Sequence, residues 1–327
     1  MPFRTMMQSP DKNRPWGSVS ILALSLVTLF LLDTVDYDLT LFLYQNRKVD
    51  LVQFMSRSLF EGEKFGAGDP VIIFLLLSVI GYYLTIRFPQ KLGNFGAFRP
   101  HFGYIVTTGL FSAIMMVHSI KWTLGRTRPF LVLQEGLPYN AWYETGFHFV
   151  TQGVYRGSFP SGHTAQACLL IAICYILAGD RAHTRLTRWA GVLLSLIVLA
   201  YAVAMGAYRC MFLSHWTTDV AGAIGFTILS AHLIYFHLLD VPSQSAYFKK
   251  AGTFPPMPAG FELHVSFNLF GAMLGIMGSA IGLRGLIRGD GPLFILILLA
   301  GLTAAGFMIR RLILGRKQLT TALNTTP

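Results

Sequence analysis

Long apolar runs alternate with short polar segments along the whole chain. About 20 consecutive apolar residues are needed for an α-helix to cross the hydrocarbon core of a bilayer. The sequence has eight runs that reach or approach this length, which predicts an all-α, polytopic membrane helix bundle. The runs cover residues 16–32, 69–87, 101–120, 163–179, 189–207, 216–238, 261–283 and 291–309.

Composition supports a membrane protein and argues against other classes. Hydrophobic residues make up 53% of the 327 residues and charged residues only 13%, unlike a soluble domain. The net charge of +11 does not favour nucleic-acid binding, because Lys and Arg are dispersed among short loops. The three cysteines have no CxxC or metal-ligand spacing, so we expect them to be packing residues.

The distribution of Lys and Arg predicts the orientation of the helices. With a cytoplasmic N-terminus, most basic residues fall in inner segments, whereas basic and acidic residues balance on the outer side. Both termini are then cytoplasmic, and a bacterial inner (plasma) membrane is the expected location. The first run is short enough for a signal peptide, but no small-residue cleavage pattern follows it, so we expect a retained helix.

A first polar cluster follows the third run and contains Lys121, Arg126, Arg128 and Pro129. If the helix continued past Lys121, Arg128 would lie two turns further on, and Pro129 would end the helix. Arg offers a bidentate fork and Lys a point charge, so the pair suits a phosphate. The alternative is a set of interface anchors whose charged ends reach the headgroups; it stays open for the pair and is preferred for Arg126.

A second cluster, Ser161-Gly162-His163, follows Pro160 and precedes the fourth run. A tight turn before a helix points free backbone N–H groups and the positive end of the helix dipole at the loop, which favours an anion. Ser161 adds a hydroxyl, and His163 can deliver a proton. The alternative is an ordinary Ser N-cap with a histidine in the first turn.

A third cluster contains Arg209, His215 and Asp219. His215 and Asp219 are four residues apart, so on a helix they would share one face. The carboxylate can hold one ring nitrogen of the imidazole and leave the other for a substrate. The alternative is a buried pair that only joins helices. All three clusters are predicted at the same, non-cytoplasmic ends of their helices.

Together the motifs Lys-x6-Arg-Pro, Pro-Ser-Gly-His and Arg-x5-His-x3-Asp resemble the type 2 phosphatidic acid phosphatase superfamily, whose relatives include glucose-6-phosphatase and the vanadium haloperoxidases. The resemblance covers residues 121–219. It implies a six-helix phosphatase core within residues 1–240, two extra C-terminal transmembrane helices in 241–315 and a cytoplasmic tail at 316–327. One position departs from the family pattern, because Tyr208 stands where a serine usually precedes Arg209.

The resemblance implies a membrane lipid phosphatase that works through a phosphohistidine, without a metal or other cofactor. His215, oriented by Asp219, would attack phosphorus, and His163 would protonate the leaving oxygen. The groups that would hold the phosphoryl oxygens are Lys121, Arg128, Ser161, Gly162 and Arg209.

The substrate stays open among phosphatidate, phosphatidylglycerol phosphate, a polyprenyl pyrophosphate such as undecaprenyl pyrophosphate, and lipid A phosphates. A site at the membrane boundary favours a phosphate carried on a lipid. The expected partners are this lipid and the bilayer, with no nucleic acid and no obligate protein partner. Two alternatives are a phosphotransferase that passes the phosphoryl group to a second lipid, and a transporter.

Four other segments carry weaker predictions. Residues 33–68 alternate apolar and polar positions and are expected to lie flat on the membrane. The aromatic outer loop 130–159 is either a lid or an interfacial belt. Glycines in the seventh run predict close helix packing, and the tail after residue 310 is expected to be a basic anchor followed by disorder.

Overall fold

The computed structural model describes residues 14–59, 62–89, 91–144, 157–180 and 183–325. Within these residues the chain is helical and contains no strand, which confirms the predicted all-α fold. Seven of the described helices are long and apolar enough to cross a membrane, and a bent pair at the N-terminus adds an eighth candidate. These spans coincide with the eight apolar runs of the sequence, and the chain is an integral membrane protein.

The described helices follow one another along the chain with short connections, and two of the rods contain a π-helical stretch. In order they are α1 (Arg14–Asp33), α2 (Asp36–Gln45), α3 (Val49–Ser56), α4 (Asp69–Arg87), a 3₁₀ turn (Gly93–Phe98), α5 (Arg99–Thr108), a π-helix (Gly109–Met116), α6 (Val117–Leu124), α7 (Pro129–Glu135), α8 (Gly162–Cys168), α9 (Ile171–Gly179), α10 (Arg185–Met211), α11 (Thr217–His232), a second π-helix (Leu233–Leu238), α12 (Val241–Ala251), α13 (Phe261–Arg288) and α14 (Leu293–Asn324).

Helix α11 lies at the centre of the bundle and packs against α1, α8 and α10. Its buried face is rich in small residues such as Gly222, where an added Cβ would lie 2.6 Å from the ring of Phe159. Large apolar side chains on the outer helices are exposed, as they are in a bundle whose perimeter faces lipid. The predicted packing role of the cysteines is confirmed, because all three are buried and free.

The N-terminal segment turns sharply after α1. Helices α1 and α2 are bent by 70° relative to each other, and α2 then packs against α10 and α11. Asp36 and Thr40 on α2 are fully buried against the core. The segment 33–68 is therefore anchored to the protein on one side, and its expected position on the membrane surface stays a prediction.

Helices α13 and α14 form a closely packed hairpin. A Cβ on Gly275 would lie 2.5 Å from the backbone nitrogen of Ala305, and one on Gly301 would lie 2.5 Å from that of Ser279. The helix backbones therefore approach to a distance that only glycine permits, as the glycine pattern predicted. The expectation of a disordered tail was wrong, because α14 continues to Asn324 and is held there by the buried side chain of Leu319.

Buried polar contacts join this hairpin to the rest of the bundle. The carboxylate of Glu262 accepts a hydrogen bond from the hydroxyl of Tyr82 (2.8 Å) and forms an ion pair with Arg99 (3.2 Å). One turn further along α13, the hydroxyls of Ser266 and Thr107 are 2.8 Å apart. The extra helices thus dock on α4 and α5 near the starts of α5 and α13.

Candidate active site

The loop between α10 and α11 carries the third motif. The carbonyl oxygen of Arg209, in the last turn of α10, accepts hydrogen bonds from the backbone N–H groups of Ser214 (3.0 Å) and His215 (3.3 Å). Leu213 has φ of 54°, a left-handed conformation that a non-glycine residue rarely adopts. This turn brings His215, whose exposure is 2%, back toward the start of α11.

His215 contacts Asp219 as predicted, but the reason given for the contact was wrong. Helix α11 begins at Thr217, so His215 lies before the helix and does not share a helical face with Asp219. Asp219 is instead the third residue of the helix and reaches back over its start. Its Oδ2 accepts from the backbone N–H of Trp216 (2.9 Å) and lies 3.2 Å from Nδ1 of His215, as in a capping box.

The second motif lies against this loop. The backbone N–H of Ser161 donates to the carbonyl oxygen of Asp219 over 3.0 Å. Ser161 is the N-cap of α8, as predicted, and its Oγ accepts from the hydroxyl of Thr164 (2.9 Å). Gly162 is the first residue of α8, and His163, half-buried, lies in the first turn. The predicted turn followed at once by a helix is therefore present.

The first motif does not continue as a helix. Helix α6 ends at Leu124 because Gly125 adopts a left-handed conformation with φ of 60°, which closes the helix C-terminus. Arg128 is extended and precedes α7, and Pro129 starts that helix instead of ending α6. The predicted placement of Lys121 and Arg128 on one continuous helix was therefore wrong.

Backbone contacts nevertheless join the first motif to the other two. The ammonium of Lys121 is buried and donates to the carbonyl oxygens of Ser158 (3.0 Å) and Gly157 (3.5 Å), just before the second motif. The N–H of Phe130, two residues after Arg128, donates to the carbonyl oxygen of Leu213 over 3.0 Å. The fold thus brings the three motifs together at one end of the bundle.

Arg126 departs most from its predicted role. It was expected to be an interface anchor, but its side chain is 1% exposed. Its Nη1 lies 2.7 Å from Oδ1 of Asp219, and its Nη2 lies 2.7 Å from Oδ2 of Asp36. A buried guanidinium needs such partners, because an unpaired charge in the interior is costly. Arg126 is therefore part of the site, behind the His215–Asp219 pair.

Asp36 was not predicted as a site residue at all. Its Oδ1 accepts from the hydroxyl of Thr217 (2.6 Å) and the backbone N–H of Thr218 (2.8 Å), and its Oδ2 also accepts from the hydroxyl of Thr218 (2.7 Å). A carboxylate at the N-terminus of α11 complements the free N–H groups and the dipole of that helix. In the sequence the only signal was an acidic residue soon after an apolar run.

Burial and charge keep the His215 imidazole neutral. Burial is the largest cause and the positive charge of Lys121 the next, and together they lower the pKa of His215 to about 3 against the opposing effect of Asp219. Since the Asp219 carboxylate can only accept, Nδ1 of His215 carries the hydrogen. The lone pair is therefore on Nε2, which is the arrangement of an oriented nucleophile.

Arg209 and its neighbour Tyr208 lie at the end of α10. The guanidinium of Arg209 is 5.6 Å from the centre of the Tyr208 ring, within the range of a cation–π contact. Tyr208 itself is 2% exposed, and its ring packs 5.5 Å from that of Phe212. The residue that replaces the family serine thus supports the α10 terminus and contacts the predicted phosphate-binding arginine.

The aromatic outer loop is only partly described. The ring of Trp142 stacks on that of Phe159 at 5.9 Å and meets Phe30 of α1 edge-on at 5.3 Å. These contacts pack the start of the loop against the bundle. The rest of the predicted lid or belt, residues 145–156, lies outside the described residues. In the described ranges no group of three His, Cys, Asp or Glu side chains could hold a metal ion, and metal independence stays a prediction.

A polytopic helical bundle with a buried histidine–aspartate pair and basic side chains at one end defines a membrane protein with a polar site at the end of its helices. Residues 100–241 match the family model described as the PAP2 superfamily. This segment contains all three motifs and belongs to that family, so the predicted resemblance is confirmed. Membership points to phosphatase activity on phosphate esters. No curated protein and no solved structure shows significant similarity to the chain.

Proposed function

We propose that the protein is a lipid phosphatase that hydrolyses a phosphomonoester or pyrophosphate of a membrane lipid at the non-cytoplasmic face, through a phosphohistidine. The observation that carries this proposal is the buried His215–Asp219 pair, which lies within the segment matched to the PAP2 superfamily. Its geometry leaves Nε2 of a neutral imidazole as the nucleophile.

In the first step Nε2 of His215 attacks phosphorus and the bond to the leaving oxygen breaks. His163 gives its proton to that oxygen, so the dephosphorylated lipid leaves as an alcohol or a phosphate. The imidazole becomes positively charged as the N–P bond forms, and the Asp219 carboxylate, 3.2 Å from Nδ1, stabilises that charge.

In the second step water attacks the phosphohistidine. His163 takes a proton from the water, the N–P bond breaks, inorganic phosphate leaves, and Nε2 recovers its lone pair. Phosphoryl transfer depends mainly on positioning and electrostatic stabilisation, so cations near the reacting group contribute most. The groups assigned to the phosphoryl oxygens are Lys121, Arg128 and Arg209, with Ser161 and the backbone amides of Gly162 and His163.

A lipid substrate is favoured by where the site lies. The three motifs meet at helix ends, in loops beside aromatic side chains such as Trp142 and Phe159. A lipid phosphate is already concentrated at that depth of the membrane, whereas a soluble phosphate is not. Phosphate groups on a glycerolipid, a polyprenol and lipid A fit this reasoning equally.

The first test uses purified protein in detergent or vesicles, with a panel of phosphatidate, phosphatidylglycerol phosphate, undecaprenyl pyrophosphate and lipid A phosphates. Released inorganic phosphate is measured for the wild type and for His215→Ala. We expect His215→Ala to lose at least about 10³-fold in turnover, because the nucleophile is gone. His264→Ala is the matched control, since His264 is exposed on α13 and contacts only the Gly260 carbonyl of its own turn.

The second test looks for the intermediate. A ³²P-labelled lipid phosphate is mixed with enzyme and quenched in base, where phosphohistidine survives. Label should appear on the wild type and on His264→Ala but not on His215→Ala. Addition of an acceptor lipid separates a hydrolase, whose phosphate release stays constant, from a phosphotransferase, which labels the acceptor. Full activity of folded His215→Ala on the panel would overturn the proposed mechanism.

A further inference from the structure

We infer that Asp36 and Arg126 form a positioning unit that holds Asp219, and through it the ring of His215, in the orientation that attack on phosphorus requires. Neither residue belongs to the three motifs, and Asp36 lies outside the segment matched to the PAP2 superfamily. The inference rests on the proposed function for its catalytic meaning, but the geometry can be tested without turnover.

The contacts form one continuous chain. Asp36 Oδ2 lies 2.7 Å from Nη2 of Arg126, and Nη1 of Arg126 lies 2.7 Å from Oδ1 of Asp219. The other oxygen of Asp219 faces Nδ1 of His215. The side chains of Asp36, Arg126 and Asp219 are at most 1% exposed. The carboxylate that orients His215 is thus itself fixed by a charge that the N-terminal segment holds in place.

Arg126 cannot serve the substrate directly, because its guanidinium is already used on every side. Nε donates to the carbonyl oxygen of Asn140 (3.0 Å), and Nη1 also donates to the hydroxyl of Thr218 (2.7 Å). Its central carbon lies 5.7 Å from the ring centre of Tyr139 and 5.6 Å from that of Trp216. A guanidinium clamped in this way is a fixed support, and its role is positioning, not phosphate binding.

Two carboxylates are needed because Asp219 has two tasks. If Asp219 alone neutralised Arg126, its charge would be drawn toward the guanidinium and away from His215. Asp36 supplies a second negative charge, so that Asp219 Oδ2 remains available to the imidazole. Groups that orient a catalytic side chain in this way typically change turnover by 10- to 100-fold when they are removed.

Asp36 also ties the support to α11, on which Asp219 lies. It bonds the hydroxyl of Thr217 and both the hydroxyl and the backbone N–H of Thr218. The 70° bend between α1 and α2 delivers Asp36 to that helix start. Movement of α2 would therefore shift the register of Asp219 relative to His215.

The experiment compares Asp36→Asn, Arg126→Gln and the milder Thr218→Val with Asp38→Asn. Asp38 lies on the same helix but is exposed, so the same change there should leave turnover unaltered. For Asp36→Asn we expect kcat to fall by about 10- to 100-fold with KM changed by less than about threefold, since the phosphate-binding groups are untouched. Thr218→Val should lower kcat by only a few-fold. The double variant Asp36→Asn with Arg126→Gln should lose about as much as the worse single variant, because the two residues act as one unit.

A second readout does not depend on turnover. In ¹⁵N-histidine-labelled protein, with the His215 signal assigned by its loss in His215→Ala, the wild type should show the Nδ1–H tautomer. Asp36→Asn should raise the share of the Nε2–H tautomer, and Asp38→Asn should not. A purely structural role would lower the thermal midpoint without changing the tautomer or the ratio of kcat to KM effects.

The outcomes separate the two hypotheses. If the wild type releases no phosphate from any lipid but Asp36→Asn shifts the tautomer, the proposed function fails and the positioning unit stands. If the wild type is active and folded Asp36→Asn and Thr218→Val keep the wild-type kcat and tautomer, the positioning unit is refuted. Should Asp36→Asn not fold, Thr218→Val alone decides by the same two measurements.

Discussion

Replacement of Asp219 by asparagine isolates the role of one charge with almost no change in volume. Asp219 accepts from three donors: Nη1 of Arg126 (2.7 Å), the Trp216 backbone N–H (2.9 Å) and Nδ1 of His215 (3.2 Å). An asparagine has one acceptor oxygen and one donor group, so it cannot satisfy both sides. If its NH₂ faced Arg126, a donor would lie against a buried cation. The amide therefore turns its oxygen to Arg126 and its NH₂ to His215.

This orientation forces the wrong tautomer. With an NH₂ group facing it, Nδ1 of His215 must become the acceptor, and the hydrogen moves to Nε2, where the nucleophilic lone pair should be. The equivalent change in the serine protease triad lowers kcat by about 10⁴, or about 5 kcal/mol. Stability should fall by only about 1–3 kcal/mol, since Arg126 keeps its 2.7 Å pair with Asp36 and only single hydrogen bonds are lost.

The assay measures phosphate release and the thermal midpoint of Asp219→Asn beside Asp290→Asn. Asp290 is 37% exposed and pairs with Arg288 at the surface, so its replacement should change neither quantity measurably. The expected result is a loss of turnover far larger than the loss of stability. A folded Asp219→Asn protein that kept more than a tenth of the wild-type kcat would show that Asp219 does not set the tautomer of His215.

Two further predictions concern pH and the C-terminal hairpin. Because the pKa of His215 is lowered to about 3 from an ordinary 6.5, the folded state binds fewer protons than the unfolded state between these values; stability should fall as the pH drops from about 6.5 toward 3, and denaturant unfolding should show a smaller fall in His215→Gln. Gly301→Leu should cost at least about 1–3 kcal/mol, because even a Cβ there lies 2.5 Å from the backbone of Ser279. The thermal midpoint should drop while turnover below the midpoint stays near the wild-type value, with Gly306→Leu, where an added Cβ meets nothing within 4 Å, as the control.

Periodicity and local motifs predicted the parts of the structure that depend on local chemistry. The eight apolar runs correspond to the candidate spans, since the length of an apolar helix is set by the bilayer. The start of α8 at Gly162 followed from the proline and glycine around Ser161. The error at Lys121 and Arg128 came from reading Pro129 as a helix terminator, when Gly125 already ended α6 and Pro129 suited the first turn of α7.

Long-range charge pairing was not accessible from the sequence. Spacing is informative only when two residues share one element, and Arg126 is 90 residues from Asp36 and 93 from Asp219. An arginine near a helix end and an aspartate after an apolar run are both typical interface residues. Only the folded chain shows that they are buried together.

The same distances explain how the N-terminal bend is maintained. Within 33–36 the structure assigns the turn no glycine or proline, and Val35 makes no side-chain cap for α2. The fixed point is Asp36, whose bonds reach Thr217 and Thr218 across 181 and 182 residues. Those bonds in turn complete the partners of Arg126, which would otherwise be buried with one counter-ion. The bend and the orientation of Asp219 therefore depend on each other, and neither can form until α11 has been made and has reached α2.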